Sequence, residues 1–247
     1  MSDKSNNPAA CGRFDRRRFL TVPTAAVAAG LLGGGLCGVA HADALTKEQR
    51  DKLTPDEILA EMKRGNERFR KGETAKRDYR AEQKASAKGQ YPAAVILGCM
   101  DSRAPAEVIL DLGIGYALNS RVAGNVANDD ILGGMEFACK VAGVKVVLVL
   151  GHTSCGAVQG AIDDVELGNL TGLLAKIRPA VKATAFEGER SSKNLAFVDA
   201  VARKNVELTM ALILEKSGVL RDLASKRAIK VAGALYNLET AAVDFFA

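Results

Sequence analysis

Two short runs constrain what this chain can fold into more than anything else in it. Residues 93–97 read Ala-Ala-Val-Ile-Leu, and residues 145–150 read Lys-Val-Val-Leu-Val-Leu. Neither alternates. A strand with one face in water alternates apolar and polar residues, so a run that is apolar at every position needs cover on both faces, as in a central strand of a parallel sheet. Weaker strand candidates stand at 115–120 and 229–236, with helical patterns at 131–142 and 156–165 and a helical insertion over 171–187 and 192–217. Strands alternating with helices predict an α/β fold, a mainly parallel β-sheet flanked by helices.

Residues 43–91 are polar and helical in pattern, an N-terminal helical arm ahead of the sheet. Thr54-Pro55-Asp56-Glu57 is a helix start, with Thr54 as N-cap, Pro55 at the first position and Glu57 reaching back. Ile58, Leu59, Met62 and Phe69 follow at helical spacing, and Gly72 marks an end.

The first 42 residues read as an address rather than as fold. Arg16-Arg17-Arg18-Phe19-Leu20 precedes a Gly/Ala-rich apolar run over 22–40, and Ala40-His41-Ala42 offers small residues at a cleavage site. This is the pattern of a twin-arginine signal, with the twin-arginine translocase as partner and a periplasmic or otherwise exported destination. The run is broken by Gly33-Gly34-Gly35 and predicts no stable membrane anchor. Removing 42 residues from 247 leaves 205, residues 43–247, read as a single catalytic domain. The removed segment carries five of the 34 Lys+Arg and two of the 29 Asp+Glu, so the net charge drops from +5 to +2. Nothing in that balance attracts nucleic acid. Cys99, Cys139 and Cys155 remain, with His152 as the one histidine. Three cysteines cannot all pair, so in an oxidising compartment either two form a disulfide or a metal shields some of them.

The chemistry follows the two apolar runs. After the first comes Cys99-Met100-Asp101-Ser102-Arg103; after the second, His152-Thr153-Ser154-Cys155-Gly156. In open α/β sheets the loops at the carboxyl ends of the strands form the binding crevice. If the two strands are parallel neighbours, Cys99 meets His152 and Cys155 although 53 positions separate the first two. Two thiolates and an imidazole suit zinc, and three protein ligands with one open position is the pattern of a catalytic site. The same residues also read as two buried cysteines and a capping histidine. Asp101 can accept a hydrogen bond from a hydroxide on the metal, and Arg103 can hold Asp101 in place. Read otherwise, the two are a surface ion pair.

Together these residues resemble the β-carbonic anhydrase family, which carries Cys-x-Asp-x-Arg and His-x-x-Cys about fifty residues apart, each after a strand. The resemblance extends to residues 54–72 as the family's N-terminal helix, to Arg121-Val122-Ala123-Gly124-Asn125, and to Val231–Tyr236 as its final strand. It implies one Zn2+ per chain on Cys99, His152 and Cys155, an orienting dyad of Asp101 and Arg103, and Gln90 hydrogen-bonding the substrate. It places Phe137 in an apolar pocket for carbon dioxide shared with a partner subunit, and implies a homodimer or dimer of dimers. The implied reaction is reversible hydration of carbon dioxide to bicarbonate and a proton. Some members carry a second, inhibitory bicarbonate site of Trp, Arg and Tyr; Arg121 and Tyr236 match it, but Ile96 stands at the tryptophan position. In such members the aspartate can also ligate the metal.

Two alternatives share the ligands: hydrolysis of carbon disulfide or carbonyl sulfide, and non-catalytic binding of zinc or bicarbonate. The Asp101–Arg103 pair argues against the second, because storage needs no orienting dyad. A cysteine phosphatase needs five residues between its cysteine and arginine; Cys99 and Arg103 have three.

Overall fold

The structure, a computed structural model, describes residues 44–246; the signal segment read over 1–42 lies outside the described residues. Three helices come first, α1 (Lys47–Lys52), α2 (Pro55–Lys71) and α3 (Tyr79–Ser86). α2 begins and ends as its sequence predicts. Thr54 Oγ1 accepts from the Glu57 N–H, and the Glu57 carboxylate accepts from the Thr54 N–H at 2.7 Å. At the far end Gly72 adopts φ 70°, where a side chain would be strained.

The chain continues through β1 (Ala94–Gly98), α4 (Ala106–Ile109), β2 (Ala117–Arg121), α5 (Asp129–Glu136), β3 (Val146–His152) and α6 (Gly156–Ile162). Then follow α7 (Gly168–Ala175), α8 (Arg178–Ala183), α9 (Leu195–Lys216), α10 (Gly218–Ser225), β4 (Lys230–Tyr236) and β5 (Val243–Phe246). The strands form one sheet in the order β2-β1-β3-β4-β5. The first four are parallel, and β5 runs antiparallel to β4.

β1 and β3 are buried along their whole length, as unalternating runs require. Because successive side chains point to opposite faces, each strand feeds two cores. Ala94, Ile96, Val146, Leu148 and Leu150 pack with Ile58 and Met62 of α2 and Ile109 of α4. Val95, Leu97, Val147 and Val149 pack with Leu132 and Met135 of α5 and Val206 and Ile213 of α9.

Three elements depart from the sequence reading. The helix expected over 131–142 starts at Asp129 as α5 and widens into a π-helical stretch at Phe137–Val141. α10 was not anticipated. Residues 231–236 are not the final strand: the Asn237 side chain accepts from the Glu239 and Thr240 N–H groups, both at 2.9 Å, and this turn sends the chain back as β5.

One topological feature positions the site. From β1 the chain passes to β2 on one side, and β3 then pairs with β1 on the other. Such a reversal opens a crevice between the two loops that leave β1 and β3, at the carboxyl edge of the sheet.

Candidate metal centre

Cys99 directly follows β1, His152 is the last residue of β3, and Cys155 is the N-cap of α6. β1 and β3 pair residue by residue, Gly98 opposite Leu150, so the two strand ends finish side by side. The ligand atoms of the three residues lie within 4.8 Å of one another, and the two sulfurs are 4.0 Å apart. All three are dry: Cys99 is 5%, His152 1% and Cys155 2% exposed.

The histidine is oriented for ligation. Its Nδ1 faces the Thr153 carbonyl at 2.9 Å, which leaves Nε2 as the free nitrogen. Nε2 is buried and has no hydrogen-bond partner among the described residues. A buried polar atom without a partner is costly unless something else satisfies it. The donor set fits zinc, which takes thiolate and imidazole together. Without a metal, the hydrogen bond from Cys155 draws the Cys99 thiol down to about 4, assisted by His152 and the Gly124 N–H, and the same contact pushes Cys155 up. The two thiols thus act on each other in opposite directions, the contact favouring a thiolate on one and disfavouring it on the other.

Asp101 and Arg103 stand at the mouth. Asp101 Oδ1 accepts from the Arg103 backbone N–H at 2.9 Å and from Nε at 3.0 Å, and Oδ2 accepts from Nη2 at 2.8 Å. This two-pronged pairing holds the Asp101 carboxyl well below the usual carboxylate range, against a smaller opposing effect of burial. Oδ2 also lies 3.8 Å from His152 Nε2. Both carboxylate oxygens are engaged by Arg103, so the aspartate faces the ligands without joining them.

The remaining expectations from sequence fare unequally. Gln90 is exposed in the loop before β1, at the amino end of a strand whose carboxyl end carries Cys99. The length of the strand, about 16 Å for five residues, separates it from the ligands of its own chain. The structure therefore does not bring Gln90 to this chain's metal site. Phe137 is no core aromatic: it is 55% exposed on the π-helical stretch. Ile96 and Tyr236 are buried in the core. Arg121 donates from Nε to the Cys99 carbonyl at 2.9 Å and from Nη2 to the Asp101 carbonyl, so it is occupied in holding the loop after β1.

Sequence reading gave no site role to three residues that support it, Gly124 being named there only as part of a matching segment. The Gly124 N–H donates to Cys99 Sγ at 3.3 Å, the Asn205 side-chain amide donates to the Gly124 carbonyl at 2.8 Å, and Asp199 Oδ1 accepts from the Ser154 N–H at 2.7 Å. Asn205 and Asp199 both belong to α9. A buried asparagine and an aspartate on a core helix are the only local signals that could have found them.

A mainly parallel α/β sheet with three buried thiol and imidazole ligands at its switch point and a fixed carboxylate at the mouth defines a protein with a mononuclear catalytic metal centre. Residues 94–243 match the family model for carbonic anhydrase. Carbonic anhydrase 2 of Mycobacterium tuberculosis is 34% identical over 184 residues, covering 72% of this chain and 86% of that protein. A carbonic anhydrase of Mycolicibacterium smegmatis is 31% identical over 185 residues, covering 74% of this chain and 89% of that protein. The β-carbonic anhydrase CafA of Aspergillus fumigatus is a similar solved structure, 29% identical with a TM-score of 0.59 over 65% of this chain and 78% of that one. The chain belongs to the β-carbonic anhydrase family.

Proposed function

We propose that this protein is a zinc enzyme catalysing the reversible hydration of carbon dioxide to bicarbonate and a proton. The observation that carries the reading is the pairing of a dry Cys99–His152–Cys155 pocket with a carboxylate fixed at its mouth. Cys99, His152 and Cys155 would hold zinc, which when bound would lower the pKa of water at its open position towards neutrality and so supply hydroxide at ordinary pH. The two thiolates donate more charge than two imidazoles would, which makes the centre a weaker acid than an all-histidine one.

The chain's own residues do the rest. Asp101 Oδ2, 3.8 Å from His152 Nε2, is placed where it would accept the proton of a hydroxyl at the open position of the site. Holding that proton turns a lone pair towards the carbon of the substrate. Arg103 keeps the carboxylate in one orientation and in its charged form. A simple zinc store has no use for such a dyad. Residues 43–247 contain no second histidine to relay the proton released in each cycle.

Gln90 and Phe137, both exposed, contribute from a neighbouring subunit in this reading. An assembly of two or four chains is supported by two β-carbonic anhydrases of Sordaria macrospora, described as tetrameric, 25% identical with a TM-score of 0.56 over 65% of this chain and 83% of the neighbour's. Export rests on Arg16 and Arg17: replacing both with Lys should leave the protein in the cytoplasm, and normal export of that variant would overturn a twin-arginine route.

The test of the function is a carbon dioxide hydration assay on protein of measured zinc content. Activity that tracks zinc is expected. Zinc-loaded protein without activity would overturn it in favour of a binding role.

A further inference from the structure

The loop that carries two of the ligands contains a residue in an unfavourable conformation. Ser154, between His152 and Cys155, has φ 54°, in the left-handed region that a residue with a Cβ adopts at a cost. Such a residue persists only where its surroundings over-determine it. One neighbour of Ser154 is held twice by the sheet end: the Thr153 N–H donates to the Tyr236 carbonyl at 2.9 Å, and Thr153 Oγ1 accepts from the Leu238 N–H at 3.0 Å. The Ser154 N–H has a different partner, Asp199 Oδ1 on α9, at 2.7 Å and 45 positions away in sequence.

Asp199 is placed there against its own solvation. Burial raises its carboxyl above the ordinary value, with the Ser154 N–H opposing that rise and Glu239 adding to it. α9 packs on β3 and β4, and Val198, Val201 and Ala202 around Asp199 belong to the same apolar cluster as Cys99 and Cys155. The helix is thus a rigid base, and the carboxylate is its one polar reach into the ligand loop.

We propose that Asp199 is a positioning residue for the metal: by accepting from the Ser154 N–H it locks the left-handed turn that presents His152 Nε2 and Cys155 Sγ to one point. It touches neither metal nor substrate. The inference rests on the reading of Cys99, His152 and Cys155 as zinc ligands. Partners that hydrogen-bond a ligand directly typically govern metal affinity by a factor of about 10 to 100, and Asp199 acts one residue further out, through the backbone between two ligands.

The experiment measures zinc affinity, by competition with a chromophoric chelator, and zinc release rate on folded full-length protein. The wild type is measured first, because a wild type that takes up no zinc sinks the metal centre itself rather than this inference. Asp199→Ala should then bind zinc about 10- to 100-fold more weakly and release it faster. Asp199→Asn keeps an acceptor oxygen in place without the charge and should return affinity to within a few-fold of wild type. If Asp199→Ala does not fold, Asp199→Asn and Asp199→Glu carry the test, since Glu moves the acceptor by one methylene; Asn is expected near wild type and Glu weakened. Cobalt-substituted protein supplies a separate readout, with the ligand-field bands of Asp199→Ala shifted and those of Asp199→Asn unshifted. Unchanged zinc affinity in Asp199→Ala overturns the proposal. So does an Asp199→Asn variant as weak as the alanine variant, which would make charge rather than the hydrogen bond responsible, and so does equal affinity in the Asn and Glu variants.

Discussion

The two loops that meet at the metal centre are built differently. The loop after β1, residues 99–103, lies along the rim: Met100 is 65% exposed and the Arg103 side chain stands mostly in solvent. Arg121 grips it by two backbone carbonyls, and its own Asp101–Arg103 pair stiffens it. The loop after β3, residues 152–155, buries His152, Thr153 and Cys155 and is tied to Tyr236, Leu238 and Asp199. The dry loop supplies two ligands and little else. The rim loop supplies the third ligand together with the groups that face substrate. Metal holding and reaction geometry are therefore divided between loops, and each substitution below presses on one side of that division.

The largest effect is expected in the dry loop. Cys155→Ser should bring zinc content close to zero and abolish hydration, because a neutral hydroxyl is a poor substitute for a buried thiolate ligand. Full zinc retention in that variant, read by metal analysis, would remove Cys155 from the ligand set.

Next comes the rim loop. Asp101→Asn keeps the shape, weakens the acceptor and can donate in the wrong direction. Zinc should stay, and the hydration rate should fall roughly ten- to a thousand-fold, the scale of one oriented transition-state contact. Arg103→Ala should fall in the same direction, and the double variant should lose less than the product, because the two act as a unit. Loss of zinc from Asp101→Asn would break the division of labour. Unchanged activity would make the dyad a surface ion pair.

A smaller effect is expected at the turn that serves the rim loop from below. Gly124 has φ 67°, and a Cβ there would lie 2.5 Å from Ile177 Cδ1. Gly124→Ala should cost about 1–2 kcal/mol, because a residue with a Cβ is strained at that φ and the end of the Ile177 side chain must also give way, and should displace the N–H that faces Cys99 Sγ. A urea midpoint equal to wild type would refute it.

The smallest effect concerns order of reaction rather than energy. Burial pushes the Cys139 thiol up to about 12, whereas Cys155 draws Cys99 down to about 4. After zinc is stripped with a chelator at neutral pH, iodoacetamide should modify Cys99 before Cys139, since the thiolate is the reactive form. Peptide mass mapping that finds Cys139 modified first would show that the metal-free pocket does not hold a thiolate at Cys99.

Much of this was legible in the sequence, for reasons that are local. Residues 93–97 and 145–150 declare themselves as central strands because a strand buried on both faces cannot alternate, and β1 and β3 are buried throughout. Thr54, Pro55, Glu57 and Gly72 fix the ends of α2 because capping depends on residues three or four apart. The types of the three ligands follow from what zinc accepts. β5 escaped because a four-residue strand at an edge has too few positions to show a pattern.

The tertiary structure alone decided the rest. Pairing of β1 with β3, not any property of residues 99 or 152, brings the two ligand loops together. Asp199 and Asn205 acquire their roles only when α9 packs across the sheet and sets one against Ser154 and the other against Gly124. A residue that acts through a backbone group 45 or 81 positions away leaves no periodic trace in its own neighbourhood. Ligand types and strand patterns are local properties that a sequence can carry; which loops meet, and what holds them, is set by packing between distant segments.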